Sequence, residues 1–421
     1  MLRRNRYLPE TTLAAVFLFA SSVFPDDSIR VSADFEGGSA NVISVDQELA
    51  TISIQPATRP GRGWPCWWFV RLDGLTIGHT ISLKVSASSD AYRDNLVLSA
   101  MWSQPDQASI SSNETDRSVW QQTGVCHRED NTATYQFAAT ASTMWAAWGV
   151  PYLQRDAEEL LDRLAQKLPA AERFELARTR AGRPVNGIRI GDAATSLPGH
   201  FGVWVQARQH AWEAGSSWVG QGFMEWLASD DQEAAALRRL ATVYYIPIMD
   251  VDSVMMGAGG KDAIPRDHNR DWSDAPVYPE VAAAQLKISR LDEAGHFDVF
   301  VDLHNPGGSE KQPYFFGPGD MDNLPAIQQQ NHIKWQAIAH HEINGPLPLL
   351  ENYLFATYVK TQEESSRMSA NWVRNHSDDH VLSTTLETPW NTPSSTPAGY
   401  AVVGKQLGHT LLRYLAAQPL E

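Results

Sequence analysis

Two imidazoles and two carboxylates fall in three short polar clusters of this 421-residue chain. His210 and Glu213 stand three residues apart in Gln209-His210-Ala211-Trp212-Glu213. His304 opens His304-Asn305-Pro306-Gly307-Gly308, and Glu387 opens Glu387-Thr388-Pro389-Trp390. In a tight loop leading into a helix, side chains at that spacing can turn toward one point. His304, arriving from a distant strand, would complete a site of two histidines and one carboxylate for zinc. Such a set leaves a coordination position open for water, as catalytic rather than structural zinc requires. Zinc so held lowers the pKa of water toward about 7 and polarises a carbonyl oxygen. Glu387 is then the carboxylate left over to act as general base. A His-x-x-Glu pair alone carries little weight, because a histidine beside a carboxylate is usually a hydrogen-bonded structural residue. The company of His304 and Glu387 tips the balance toward metal. With only two cysteines in the chain, any metal site must be built from histidine and carboxylate.

Each cluster directly follows a strand-like run: FGVWVQA (201–207), FDVFVDL (297–303) and VLSTTL (381–386). In open α/β sheets, ligands bind outside the carboxyl ends of the strands. Beyond Pro151, helical and strand-like runs alternate. Ala157–Lys167 is amphipathic at helical spacing, Trp218–Ala228 is helix-like and Val243–Met249 is strand-like, and Pro279–Ala294 and His332–Glu342 are again helical. The alternation predicts an α/β domain over 151–421, with a mixed, largely parallel sheet flanked by helices. Residues 28–150 differ. Short β-rich runs recur at Asn41–Val45, Trp67–Leu72, Thr80–Val85, Leu96–Trp102 and Thr134–Ala139, with turn-prone clusters such as Glu36-Gly37-Gly38 between them. They predict a small all-β sandwich.

The sequence resembles the M14 zinc metallocarboxypeptidases, and among them the subgroup that includes the cytosolic carboxypeptidases. The residues that carry the likeness are QHAWEAGSSW (209–218), PIMDVDSV (247–254), PRDHNRDW (265–272), VDLHNP (301–306) and TTLETPW (384–390). That subgroup also places a β-sandwich before a carboxypeptidase-like catalytic domain. The resemblance implies a peptide substrate with a free C-terminal carboxylate, hydrolysed at its last amide bond. His210, Glu213 and His304 would hold zinc. Asn269 and Arg270 would clamp the carboxylate, which a planar guanidinium can bind bidentately. Asp267 would fix the ring of His210, and Glu387 would pass a proton from the attacking water to the leaving amine. Two departures stand out. The arginine that usually precedes the Asn-Arg pair by some ten residues is missing from Met256–Lys261, leaving Lys261 or Arg266 to steady the oxyanion. No tyrosine lies between Tyr358 and Glu387 to serve as a substrate-contacting donor. The segment Thr361–His376, with Arg367 and Arg374, reads either as part of a specificity pocket or as a solvated helix face.

Composition sets the outer bounds. The chain is 43% hydrophobic and 20% charged, a globular balance long enough for two domains. A net charge of −15 leaves no basic excess for nucleic acid. Arg3, Arg4 and Arg6 followed by the apolar stretch Leu13–Phe24 read as an export signal over residues 1–27, which predicts a periplasmic or extracellular protein. That stretch falls short of the ~20 apolar residues of a membrane span, and none later is long enough. Cys66 and Cys126 fit either one disulfide or two buried thiols. The competing functions are a zinc deacylase acting on N-acyl amino acids or cell-wall peptides, and a catalytically silent binding protein using Trp64, Trp67, Trp68 and Trp120 as its surface. Oligomeric state and the preferred C-terminal residue are not readable at this level.

Overall fold

A computed structural model describes residues 28–191 and 200–418. Residues 1–27, read above as an export signal, lie outside them. The N-terminal all-β region holds two five-stranded sheets. One orders Arg30–Ser32, Phe69–Asp73, Thr143–Ala147, Ser109–Ser111 and Gln121–Gln122. The other orders His127–Glu129, Thr132–Ala138, Thr80–Ser86, Thr51–Gln55 and Asn41–Asp46. Alternation does the work here: Ile81, Leu83 and Val85 are buried between polar neighbours, as are Ala133, Tyr135 and Phe137. Trp68 meets Tyr135 at 5.8 Å between ring centroids, joining the inner faces of the two sheets.

One reading of this region needs correction, and one open alternative is decided. The run Leu96–Trp102 is not one strand: only Leu96–Val97 pairs, in a ribbon with Ala91–Arg93, and Ala100–Trp102 forms a 3-10 turn. Both the backbone N–H and the hydroxyl of Ser103 bond the Ala100 carbonyl and close that turn. Cys66 and Cys126 are separate buried thiols rather than a disulfide. The Cys126 thiol donates to the Pro105 carbonyl (3.6 Å), whereas Cys66 faces the backbone at Gly259.

The second region is built on a seven-stranded mixed sheet. Its order is Ala171–Arg178, Pro184–Ile190, Ala241–Ile246, Phe201–Ala207, Val299–His304, Leu382–Glu387 and Tyr314–Phe316. The four strands from Ala241–Ile246 to Leu382–Glu387 run parallel, and the outer pairings are antiparallel. These central strands are buried throughout; three of them read as mostly apolar runs, whereas Leu382–Glu387 buries Ser383, Thr384 and Thr385. The helix expected from Trp218 begins at Ala214. It is buried almost throughout and presses on the C-terminal helix Pro397–Ala416: a Cβ at Gly222 would lie 2.3 Å from the Ala401 Cα. That closeness explains the glycines and small residues that blur its amphipathic signal. Among the described residues, no helix is long and apolar enough to cross a membrane.

Candidate active site

Parallel register brings the site together. Ala207 pairs with Leu303 and His304 pairs with Glu387, so three strands end at one level. From the first, the chain turns at Arg208 (φ 63°), whose buried guanidinium donates to the carbonyls of Tyr152 (3.0 Å) and Ala211. This turn delivers His210, and Glu213 follows at the entry to the Ala214–Leu227 helix, where the helix dipole favours a carboxylate.

Glu213 bridges the two imidazoles. Nδ1 of His210 lies 2.8 Å from one carboxylate oxygen and Nδ1 of His304 lies 2.8 Å from the other. All three side chains are buried, with candidate ligand atoms within 4.8 Å of one another. The opposite ring nitrogens face carboxylates too: Nε2 of His304 is 2.9 Å from Asp302, and Nε2 of His210 is 3.5 Å from Asp267. Each Nδ1 is thus aimed inward and each ring is braced from behind, the arrangement a zinc-ligating histidine needs. Burial alone would keep His304 neutral, but Asp302 and Glu213 outweigh it and hold its pKa well above the usual range.

Glu387 is 7% exposed, and its Oε2 has no hydrogen-bond partner among the described residues. Burial pushes its pKa up to about 8, with His304 and Lys261 pulling down and Glu213 and Asp302 pushing up. Asn269 reaches toward Nε2 of His304 (3.4 Å) and accepts from the Ser369 N–H (2.9 Å). Arg270 follows it, half-engaged by its own neighbour's carbonyl and by Glu364 at 3.2 Å. Lys261 stands 3.8 Å from Asp267, whose pKa burial would raise but Lys261, His210 and Arg270 hold well below normal. Arg266 does not join this group. It pairs with Asp271 at 3.2 Å and donates to Ser273, whereas Lys261 lies beside Asp267.

Several site residues were not singled out from sequence. Asp302 is fully buried and collects Gln206, Gln209, Ser369 and His304. Its place two residues before His304, on the same face of one strand, was the available signal. Tyr314 sits opposite Glu387 in antiparallel register, and the half-exposed Tyr358 ring lies 5.7 Å from the Lys261 ammonium. Beside the site opens a cavity of about 390 Å³, lined in part by Met368, Asn371, Ser383, Thr385 and Arg374. The Arg374 side chain is 8% exposed; it donates to Asn371 (2.9 Å) and among the described residues has only Asp320, at 3.6 Å, as a carboxylate partner. The supposed tryptophan surface dissolves into the core: Trp67, Trp68 and Trp120 are buried, and the first two donate to the Gly37 and Ser103 carbonyls.

Comparison with known proteins agrees with this geometry. Residues 157–275 match the profile described as zinc carboxypeptidase, a stretch that holds His210, Glu213, Lys261, Asp267, Asn269 and Arg270. Over this stretch the chain is similar to the zinc carboxypeptidases. It is 26% identical to an uncharacterized protein of Zymomonas mobilis, over 72% of this chain and 73% of that protein. It is also 29% identical to mouse cytosolic carboxypeptidase 3 over 44% of this chain, which spans only 19% of that longer relative. In fold it matches a metallo-carboxypeptidase from Burkholderia cenocepacia with a TM-score of 0.77 and 21% identity, covering 92% of this chain and 99% of that one.

Proposed function

We propose that this protein is a zinc carboxypeptidase that releases the last residue of peptides with a free C-terminal carboxylate and favours an acidic side chain there. One observation carries the reading: a three-ligand set and a buried carboxylate, Glu387, whose Oε2 has no partner among the described residues, meet at the ends of adjacent parallel strands, with Asn269 touching His304. His210, Glu213 and His304 would hold the metal, their donors already converging. When bound, zinc polarises the scissile carbonyl and makes water more acidic. Arg270 and Asn269 would anchor the substrate carboxylate and fix the last amide bond over the site. Glu387, poised by burial to exchange a proton near neutral pH, takes one from the attacking water and returns it to the leaving amine. The Lys261 ammonium supplies a positive charge where the oxyanion develops. Arg374 would receive the side chain in the adjoining cavity, where a guanidinium so nearly buried and so weakly paired favours an incoming carboxylate. The charged start and apolar stretch of residues 1–27 support an extracytoplasmic place of action.

Amino-acid release from zinc-loaded protein tests this. Peptides ending in glutamate should be cleaved fastest, their amidated counterparts should resist, and Arg374→Gln should cut the preference for glutamate by about tenfold or more. Turnover of N-acyl amino acids in place of peptides would identify a deacylase instead.

A further inference from the structure

The β-region and the catalytic region meet along a backbone seam beside Lys261. The Gly260 N–H donates to the Arg62 carbonyl (2.9 Å), and the Trp64 N–H donates to the Lys261 carbonyl (2.9 Å). The Ile264 N–H donates to the Gly61 carbonyl (3.0 Å), and the Trp64 indole N–H to the Asp262 carboxylate (2.9 Å). The fit leaves no room for a side chain. Gly63 has φ +79°, and a Cβ there would lie 2.0 Å from the Lys261 carbonyl oxygen; one at Gly259 would lie 2.1 Å from the Trp64 carbonyl oxygen. The seam also reaches the metal site. The Asp262 N–H donates to one oxygen of Asp267 (3.1 Å), and the other oxygen faces Nε2 of His210 at 3.5 Å.

Left to itself, the stretch Gly257-Ala258-Gly259-Gly260-Lys261 would be conformationally loose, because glycine gives up more backbone freedom on ordering than any other residue. Lysine adds a flexible four-carbon stem. We propose that the Gly61–Trp64 loop of the β-region is a positioning element of the catalytic site, fixing where the Lys261 ammonium stands. The inference rests on the role given to Lys261 above. Trp64 and Gly63 touch no reacting atom. They act through Lys261, so their loss should lower kcat and leave KM, set by Arg270 and the Arg374 cavity, nearly unchanged.

A double-mutant cycle with Lys261→Met tests it, alongside hydrogen exchange at the Gly260 and Ile264 amides. Lys261→Met should cost about a hundredfold in kcat. Trp64→Phe, which keeps an aromatic ring and loses the indole N–H, should cost about tenfold, with the same zinc content and faster exchange at both amides. In the Lys261→Met background it should cost nothing further. Gly63→Ala, which forces the seam apart, should behave as a stronger Trp64→Phe. Equal losses from Trp64→Phe in both backgrounds would overturn the inference while leaving the peptidase reading standing. So would faster exchange with no change in kcat. A normal kcat in Lys261→Met would overturn both the inference and the role of Lys261. If the native protein released no amino acid from peptides, the peptidase reading would fail, and unaltered exchange in both loop variants would overturn the seam separately.

Discussion

His268 shows how much charge this molecule buries behind its site. The ring is 2% exposed, stacks on Tyr278 at 3.9 Å, and has Glu280 at 2.6 Å and Asp250 at 3.6 Å. Burial disfavours its charge, but Asp250, Glu280 and Asp271 outweigh burial and raise its pKa to about 9. That value lies above the ~6.5 of an unfolded histidine, so the folded state holds the extra proton. The stabilisation is therefore complete below about pH 6.5 and is lost as pH rises toward 9, by on the order of 2–3 kcal/mol. Urea midpoints at pH 6 and pH 9 should show this fall, and His268→Gln should flatten it; an unchanged pH dependence in the variant would remove His268 as its source. Residues of this kind are poorly legible in sequence. His210, Glu213, His304 and Glu387 could be read because each is reactive in type and sits just past a strand-like run. Choosing Lys261 over Arg266 needed the position of Asp271, which only the fold supplies.

Among the elements, the short helix Ser369–His376 ties the cavity at Arg374 to the candidate metal site. Its first residue donates its hydroxyl to Asp302 and its N–H to Asn269, while its last turn carries Arg374 into the cavity. Ser369→Ala keeps the backbone bond and removes one of the donors that orient Asp302 behind His304. Such supporting contacts are commonly worth 10–100-fold in metal affinity, so zinc affinity by chelator competition should fall by about tenfold. An unchanged affinity would limit Ser369 to a structural part. Sequence left this segment undecided between pocket and solvated face because 65 residues separate Ser369 from His304, and no local pattern records such a contact. Conversely, the amphipathic pattern of Ala157–Lys167 marked the helix Gln154–Lys167 well, because only one face is buried.

Across the whole molecule, aromatic packing joins the two regions under the site. Trp148 of the β-region packs tilted against Trp390 at 4.3 Å and edge-on to Trp212 at 5.4 Å, and Trp102 meets Trp212 at 5.8 Å. Trp212 lies between the ligands His210 and Glu213, and Trp390 follows Glu387 by three residues. Fifteen tryptophans were visible in the sequence, but composition could not separate a ligand surface from a core, and most of those that resembled a surface proved to be packing. The alternation of helices and strands showed the catalytic region because three of the four parallel strands are mostly apolar and helices lie between them in sequence. The seam between the regions was invisible, since it is made of backbone groups and glycines. The measurement that bears most directly on the whole account combines zinc content with turnover of a glutamate-ended peptide in Glu387→Gln. The account predicts one zinc per chain and a kcat lower by about 10²–10⁴-fold. Near-normal turnover, or loss of the zinc together with the activity, would contradict it.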